Sequence, residues 1–166
     1  AAVPIVAAVQ GAVAGGGIGI MLVADYLVAS PSAVFVSKYA NIGLTPDLGV
    51  STLLPAAIGQ RRALQLLLDD TTLDAATARD WGLIAEVVDD PAARAQALAE
   101  SWLHGATTAF GQAKRLVREG AGRTFAQNHD DEARTIGARF DSDEARVRID
   151  AFAAASARRT RPEEKS

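Results

Sequence analysis

The sequence predicts an α/β fold that passes into a helical region, and three observations carry that prediction. Short apolar, β-branched segments of strand length recur within the first forty residues. A run of glycines, Gly15-Gly16-Gly17, separates the first of them from a continuously apolar stretch long enough for about two helical turns. From Gly49 onward most apolar residues recur at helical spacing. Strand, short buried helix and further strands in succession are the pattern of mixed α/β layers.

Taken in order, Val3 to Val9 reads as a buried strand, with Pro4 tolerable near its start but not in its middle. Gly11 and the glycine run break that pattern, and Ile18 to Ala24 supplies the short helix. Asp25 to Ser30 and Ala33 to Ser37 are two further strands around a turn at Pro31-Ser32. Leu53, Leu54 and Ala57 share one face of a helix that starts near Gly49 and closes at Gly59. A helix over Arg62 to Leu68 follows, then a short one from about Ala75 to Gly82, then a last strand over Leu83 to Val88. Asp90-Pro91 offers an N-cap and an N1 proline to a helix lined by Ala95, Leu98, Ala99 and Trp102. Ala109 to Val117 and Phe125 to Ile136 are the next helices. Asp141 and Glu144 resemble a capping box opening the last, whose apolar stripe is Ala145, Ile149 and Phe152. The acidic pairs Asp69-Asp70, Asp89-Asp90 and Asp130-Asp131 fall where caps or turns are expected. The predicted organisation is an α/β part over 1–105, a helical region over 106–157 that packs on a neighbouring subunit, and a charged, fraying tail over 158–166.

Composition narrows the function classes. The 166 residues suffice for a real core, and 49% hydrophobic with 22% charged residues is ordinary for a soluble protein. The absence of cysteine excludes a disulfide framework and a cysteine metal site. His104 and His129 by themselves do not make a zinc site, so no metal is expected. A net charge of −3 gives no general attraction to nucleic acid. Gln10, Asp25 and the glycines interrupt the apolar first thirty residues below the length of a membrane span, and a signal peptide's basic start is missing. A cytoplasmic protein is therefore expected. The chain opens Ala1-Ala2-Val3-Pro4, without an initiator methionine and directly into a core strand, so further sequence upstream is expected too.

The glycine run is the most informative local feature. Glycines let a backbone approach a ligand closely, and a helix N-terminus presents unpaired N–H groups. A Walker-type phosphate loop is disfavoured, because Gly17 stands where lysine is required. A dinucleotide fingerprint is disfavoured by the order of the glycines. An oxyanion hole, and a tight turn with no ligand, both remain open.

Val3-Pro4-Ile5-Val6-Ala7-Ala8-Val9-Gln10-Gly11-Ala12-Val13-Ala14-Gly15-Gly16-Gly17 resembles the KPVIAAVNGxAxGGG segment of the enoyl-CoA hydratase/isomerase (crotonase) family. The likeness continues through Ala24-Asp25-Tyr26, Phe35, Ile42 to Gly49, Ile58-Gly59, and Ala75 to Ile84 with Ala78, Gly82 and Leu83. It covers the C-terminal two-thirds of the family pattern and is closest to its isomerase-type members. The resemblance implies a crotonase-like fold of repeated ββα units with a C-terminal helical trimerisation region. It also implies an acyl-CoA thioester as substrate and no cofactor beyond the coenzyme A that the substrate carries. Gly16 would supply one oxyanion N–H, and the other would come from upstream of Ala1. Gly15, Gly17, Tyr39 and Leu44 would line the substrate pocket. Phe152 would contact the nucleotide end of coenzyme A, often that of a neighbouring subunit, with the basic partner position at Ala155 and Arg158 or Arg159 as substitutes.

The two glutamates of family hydratases fall on Gly19 and Tyr39, neither of which is a carboxylate base. Asp47, in Gly43-Leu44-Thr45-Pro46-Asp47-Leu48-Gly49, stands where several family isomerases carry a catalytic aspartate. The expected activity is therefore acyl-CoA double-bond isomerisation with Asp47 as proton shuttle. Three alternatives stand beside it. Pro46-Asp47 before a helix is also an ordinary N-cap. Asp47 can instead act as a nucleophile, as in the family's aryl-CoA dehalogenases, which this chain resembles around Asp80-Trp81-Gly82-Leu83. Finally, a family member that has lost its chemistry binds acyl-CoA without turnover.

Overall fold

Ile18, Phe35, Leu54, Leu66, Leu73 and Leu83 are fully buried, and the elements that carry them surround one hydrophobic core. The computed structural model describes residues 2–69 and 71–159, the side chains of Arg158 and Arg159 excepted. The predicted Asp70 cap and the Arg158 and Arg159 contacts lie outside the described residues. The chain divides into two compact units, one of Pro4–Gly105 and one that takes in residues 2–3 and 106 onward.

The first unit is built from ββα repeats. Strands β1 (Val6–Val9) and β2 (Ala12–Ala14) lead into helix α1 (Gly16–Leu22). Strands β3 (Tyr26–Ala29) and β4 (Val34–Val36) lead, through a 3₁₀ turn at Ala40–Ile42, into α2 (Val50–Ile58). Then come α3 (Gln60–Leu68), β5 (Thr72–Asp74), α4 (Ala75–Trp81), β6 (Glu86–Val87) and α5 (Pro91–His104). Two three-stranded sheets result. One runs β1-β3-β6, all parallel; the other runs β2-β4-β5, with β4 and β5 antiparallel.

Several boundaries differ from the sequence expectation for identifiable reasons. β1 begins at Val6 rather than Val3, because Pro4 has no N–H and the Ile5 N–H goes to the Asp25 carboxylate at 2.8 Å. Asp25 thus ties the start of one strand to the start of another. β2 and β5 are unexpected strands; Ala12-Val13-Ala14 has little strand propensity, and its pairing to β4 decides its state. β6 is shorter than expected, since the Leu83 N–H returns to Ala78 O to close α4 behind the left-handed Gly82. Asp90 caps α5 as predicted, through Ala93 N–H at 2.9 Å.

In the second unit, α6 (Thr107–Gly120), α7 (Phe125–Phe140) and α8 (Asp143–Arg159) follow one another. A capping box of Thr124 and Gln127 opens α7. Asp130 and Asp131 are not caps: they lie inside α7, where Asp131 accepts from Arg115 and Arg123 and is held well below the usual carboxylate range. The expected Asp141/Glu144 box is also absent, because α7 runs on to Phe140 and the Ser142 hydroxyl accepts from Ala145 N–H at 3.2 Å instead.

Glu86 fastens three elements of the first unit together. Its carboxylate receives both Nε and Nη2 of Arg94 at 2.7 Å and the Tyr26 hydroxyl at 2.7 Å, so β6, α5 and β3 share one hydrogen-bonded centre. Arg94 first, and Tyr26 second, pull Glu86 down to about 2 from an ordinary value near 4.5. A carboxylate with a depressed folded-state pKa contributes stability that is present above its unfolded value and is lost as pH falls toward the folded one. The unfolding midpoint should therefore drop between about pH 5 and pH 2, and Glu86→Gln should flatten that drop while lowering stability at pH 7. Equal acid sensitivity in the two proteins would show that other groups set it.

Candidate active site

The glycine run forms a strand-to-helix turn. Ala14 pairs with Val36 at the end of β2, and the Gly15 N–H extends the contact to Val36 O at 3.0 Å. Gly15 then turns with φ 52° and ψ −124°, a conformation that a residue with a Cβ adopts only under strain. The turn makes Gly16 the first residue of α1, and its N–H has no hydrogen-bond partner among the described residues.

Facing this turn is the segment between β4 and α2. Lys38 and Leu48, near its two ends, both lie in the left-handed region, at φ 59° and 47°. For residues other than glycine such geometry costs about 1–3 kcal/mol and persists only where surrounding contacts enforce it. Tyr39 is the buried anchor of the segment, 7% exposed within the core. Its carbonyl accepts from Ile42 N–H (3.2 Å) and Leu44 N–H (3.0 Å), and its hydroxyl donates to Asp47 Oδ1 at 2.6 Å. Burial, and then this bond to Asp47, raise the Tyr39 phenol above its ordinary value. Asp47 itself is exposed.

The carboxylate of Asp47 is not a helix cap. Gly49 is the N-cap of α2 and makes no side-chain bond; only the Asp47 carbonyl takes part, accepting from Val50 N–H at 2.9 Å. The capping alternative fails because Asp47 lies two residues before the N-cap Gly49, and its side chain turns toward Tyr39.

The two segments touch across a helix face without side chains. A Cβ on Gly16 would lie 2.9 Å from Asp47 Oδ1 and 2.8 Å from Leu48 Cδ1. On Gly15 it would meet the Tyr39 ring at 3.8 Å, and on Gly19 it would lie 2.3 Å from the carbonyl oxygen of Leu48. Gly15, Gly16, Tyr39 and Asp47 are thus brought together. Gly17 is not among them, since a Cβ there would meet Val13 Cγ1 of β2 at 3.5 Å. Leu44 joins through its backbone while its side chain is exposed, and Phe152 is an exposed residue of α8. His104 hydrogen-bonds Glu100 O, and His129 stacks on Phe125. No group of three or more potential metal-ligating side chains occurs among the described residues.

Leu48 is a contact residue that the sequence does not announce. Its backbone carbonyl fills the space over Gly19 and leaves no room there for a side chain. The only signal was the Leu48-Gly49 pair before a helix, which does not announce a left-handed leucine.

Comparison with known proteins identifies the family and the fold. Residues 1–158 match the family model described as Enoyl-CoA hydratase/isomerase. The chain is 37% identical over 124 residues to 1,2-epoxyphenylacetyl-CoA isomerase of Escherichia coli K12, covering 74% of this chain and 47% of that protein. It is 31% identical over 135 residues to 4-chlorobenzoyl coenzyme A dehalogenase-1 of an Arthrobacter species, covering 80% and 49%. The crystal structure of the enoyl-CoA hydratase/isomerase from Cupriavidus metallidurans CH34 superposes with a TM-score of 0.86 at 36% identity, over 92% of this chain and 58% of that one. Relatives named as hydratases are also among the matches. The chain belongs to the enoyl-CoA hydratase/isomerase family and has its crotonase-like fold. It spans about half the length of the curated relatives it matches.

The bare face of α1 predicts a contrast between two alanine substitutions. Gly16→Ala meets only the ends of side chains and should unfold within about 1 kcal/mol of wild type. Gly19→Ala meets a backbone oxygen and should lose about 1–3 kcal/mol. Denaturant unfolding of both variants checks this; equal losses would contradict the packing described.

Proposed function

We propose that this protein is an acyl-CoA double-bond isomerase in which Asp47 carries the proton between two carbons. The observation that carries the proposal is the Asp47 carboxylate lying against Gly16, whose N–H is unpaired among the described residues. An N–H so placed stabilises negative charge on a thioester oxygen. In a 3-enoyl thioester, Asp47 takes a proton from C2, and the electrons of that C–H bond spread through the dienolate onto the carbonyl oxygen. The proton returns to C4, the double bond settles between C2 and C3, and the carboxylate is regenerated. Hydration needs a second group to hold and activate water, and Gly19 and Tyr39 stand at those positions. The isomerase name of the Escherichia coli relative supports the same direction.

A nucleophilic role for Asp47 is the second reading, favoured by the likeness to the Arthrobacter dehalogenase; a non-catalytic acyl-CoA binder is the third. The proposal includes a cytoplasmic homo-oligomer, a trimer or a dimer of trimers, with Phe152 near the coenzyme A. The exposed Phe140, Val147, Ile149 and Phe152 support such an assembly. It requires no cofactor.

The test uses the product of the complete gene with a 3-enoyl-CoA in D₂O, followed by mass spectrometry. Wild type should take up deuterium and move the double bond, and Asp47→Asn should lose both by about 10²-fold or more while still binding the ligand. A trapped acyl-aspartyl adduct would establish the nucleophilic reading. Binding with neither exchange nor double-bond migration in wild type would establish the binder.

A further inference from the structure

We infer that Tyr39 is a positioning residue that fixes the Asp47 carboxylate and selects Oδ2 as the oxygen that exchanges protons with substrate. This rests on the isomerase reading of the same site. Asn41, Ile42, Gly43, Leu44, Thr45 and Asp47 are all exposed, so the segment that carries Asp47 has little packing of its own. Tyr39 is the exception. Its ring sits in the core with Phe35, its carbonyl gathers the N–H groups of Ile42 and Leu44, and its hydroxyl reaches Asp47 eight residues on. One side chain therefore connects the rigid core to an otherwise loosely held carboxylate.

The geometry also distinguishes the two carboxylate oxygens. Oδ1 receives the phenol at 2.6 Å and lies against Gly16, whereas Oδ2 has no hydrogen-bond partner among the described residues. A short bond to an ionised acceptor is among the stronger hydrogen bonds and restrains the broad terminal torsion of an aspartate. Burial, followed by the bond to Asp47, keeps the phenol above its ordinary value, so it remains a donor at neutral pH. The hydroxyl acts through Asp47 and exchanges no proton with substrate. A reacting carboxylate that wanders by about 1 Å forfeits on the order of 10²-fold in rate.

Tyr39→Phe removes one oxygen and keeps the ring, and water can reach the exposed Asp47 in its place, so the fold should survive. With a 3-enoyl-CoA in D₂O, the variant should show a kcat about 10- to 100-fold lower. KM should stay within about twofold and the unfolding midpoint within a few degrees. The deuterium incorporated per migrated double bond should rise, because an unrestrained carboxylate trades its proton with solvent before returning it. A residue that only packs would leave that ratio unchanged. Wild-type activity with an unaltered kcat and ratio in Tyr39→Phe would overturn the positioning role alone. No double-bond migration in wild type would overturn the isomerase reading and this role with it.

Discussion

The site depends on one steric condition: α1 presents no side chain where the segment before α2 lies across it. With hydrogen alone at Gly16 and Gly19, the Leu48 carbonyl and the Asp47 carboxylate rest directly on the helix backbone. A methyl at position 19 would fall 2.3 Å from a backbone oxygen, so the approach exists only with glycine. Everything chemical follows from that approach. It brings the Asp47 carboxylate against Gly16 and leaves no room for a side chain at position 19.

The contact has a conformational cost that the core offsets. Leu48 sits at a positive φ, a local penalty of about 1–3 kcal/mol. Against this stand the full burial of Val50 and Leu54 in α2 and of Phe35 in β4, together with the anchoring of Tyr39. Burying each large apolar side chain contributes about 1.5–3 kcal/mol. The strained residue is thus clamped between elements that cannot shift without exposing the core. Strain at Leu48 is sustained by the packing of the elements on either side of it.

Much of this was legible in the sequence, and the reasons for the rest are physical. Helices with caps could be placed from local residues: Asp90-Pro91 opens α5, and Gly59 and Gly82 close α2 and α4 as expected. β2 and β5 were missed because a three-residue strand is defined by its partner, β4, and not by its own composition. Asp131 was misjudged because its salt bridges come from Arg115 and Arg123, 16 and 8 residues away, which no local pattern reveals. At the site, the family resemblance pointed to Gly16, Tyr39 and Asp47, but their relation was hidden. An eight-residue gap across a loop matches neither helical nor strand periodicity. The left-handed Leu48 was the least legible feature, since leucine carries no signal for that conformation.

Under the proposed isomerase reading, the Asp47 carboxylate moves a proton within the substrate and water is not activated for addition. The most direct test of that central claim supplies the product of the complete gene with a 3-enoyl-CoA in water enriched in oxygen-18. The products are then resolved by mass spectrometry. The account predicts a 2-enoyl-CoA without the heavy isotope and no 3-hydroxyacyl-CoA. A 3-hydroxyacyl-CoA labelled with oxygen-18, formed at a comparable rate, would show that water is activated here and would contradict the one-carboxylate site.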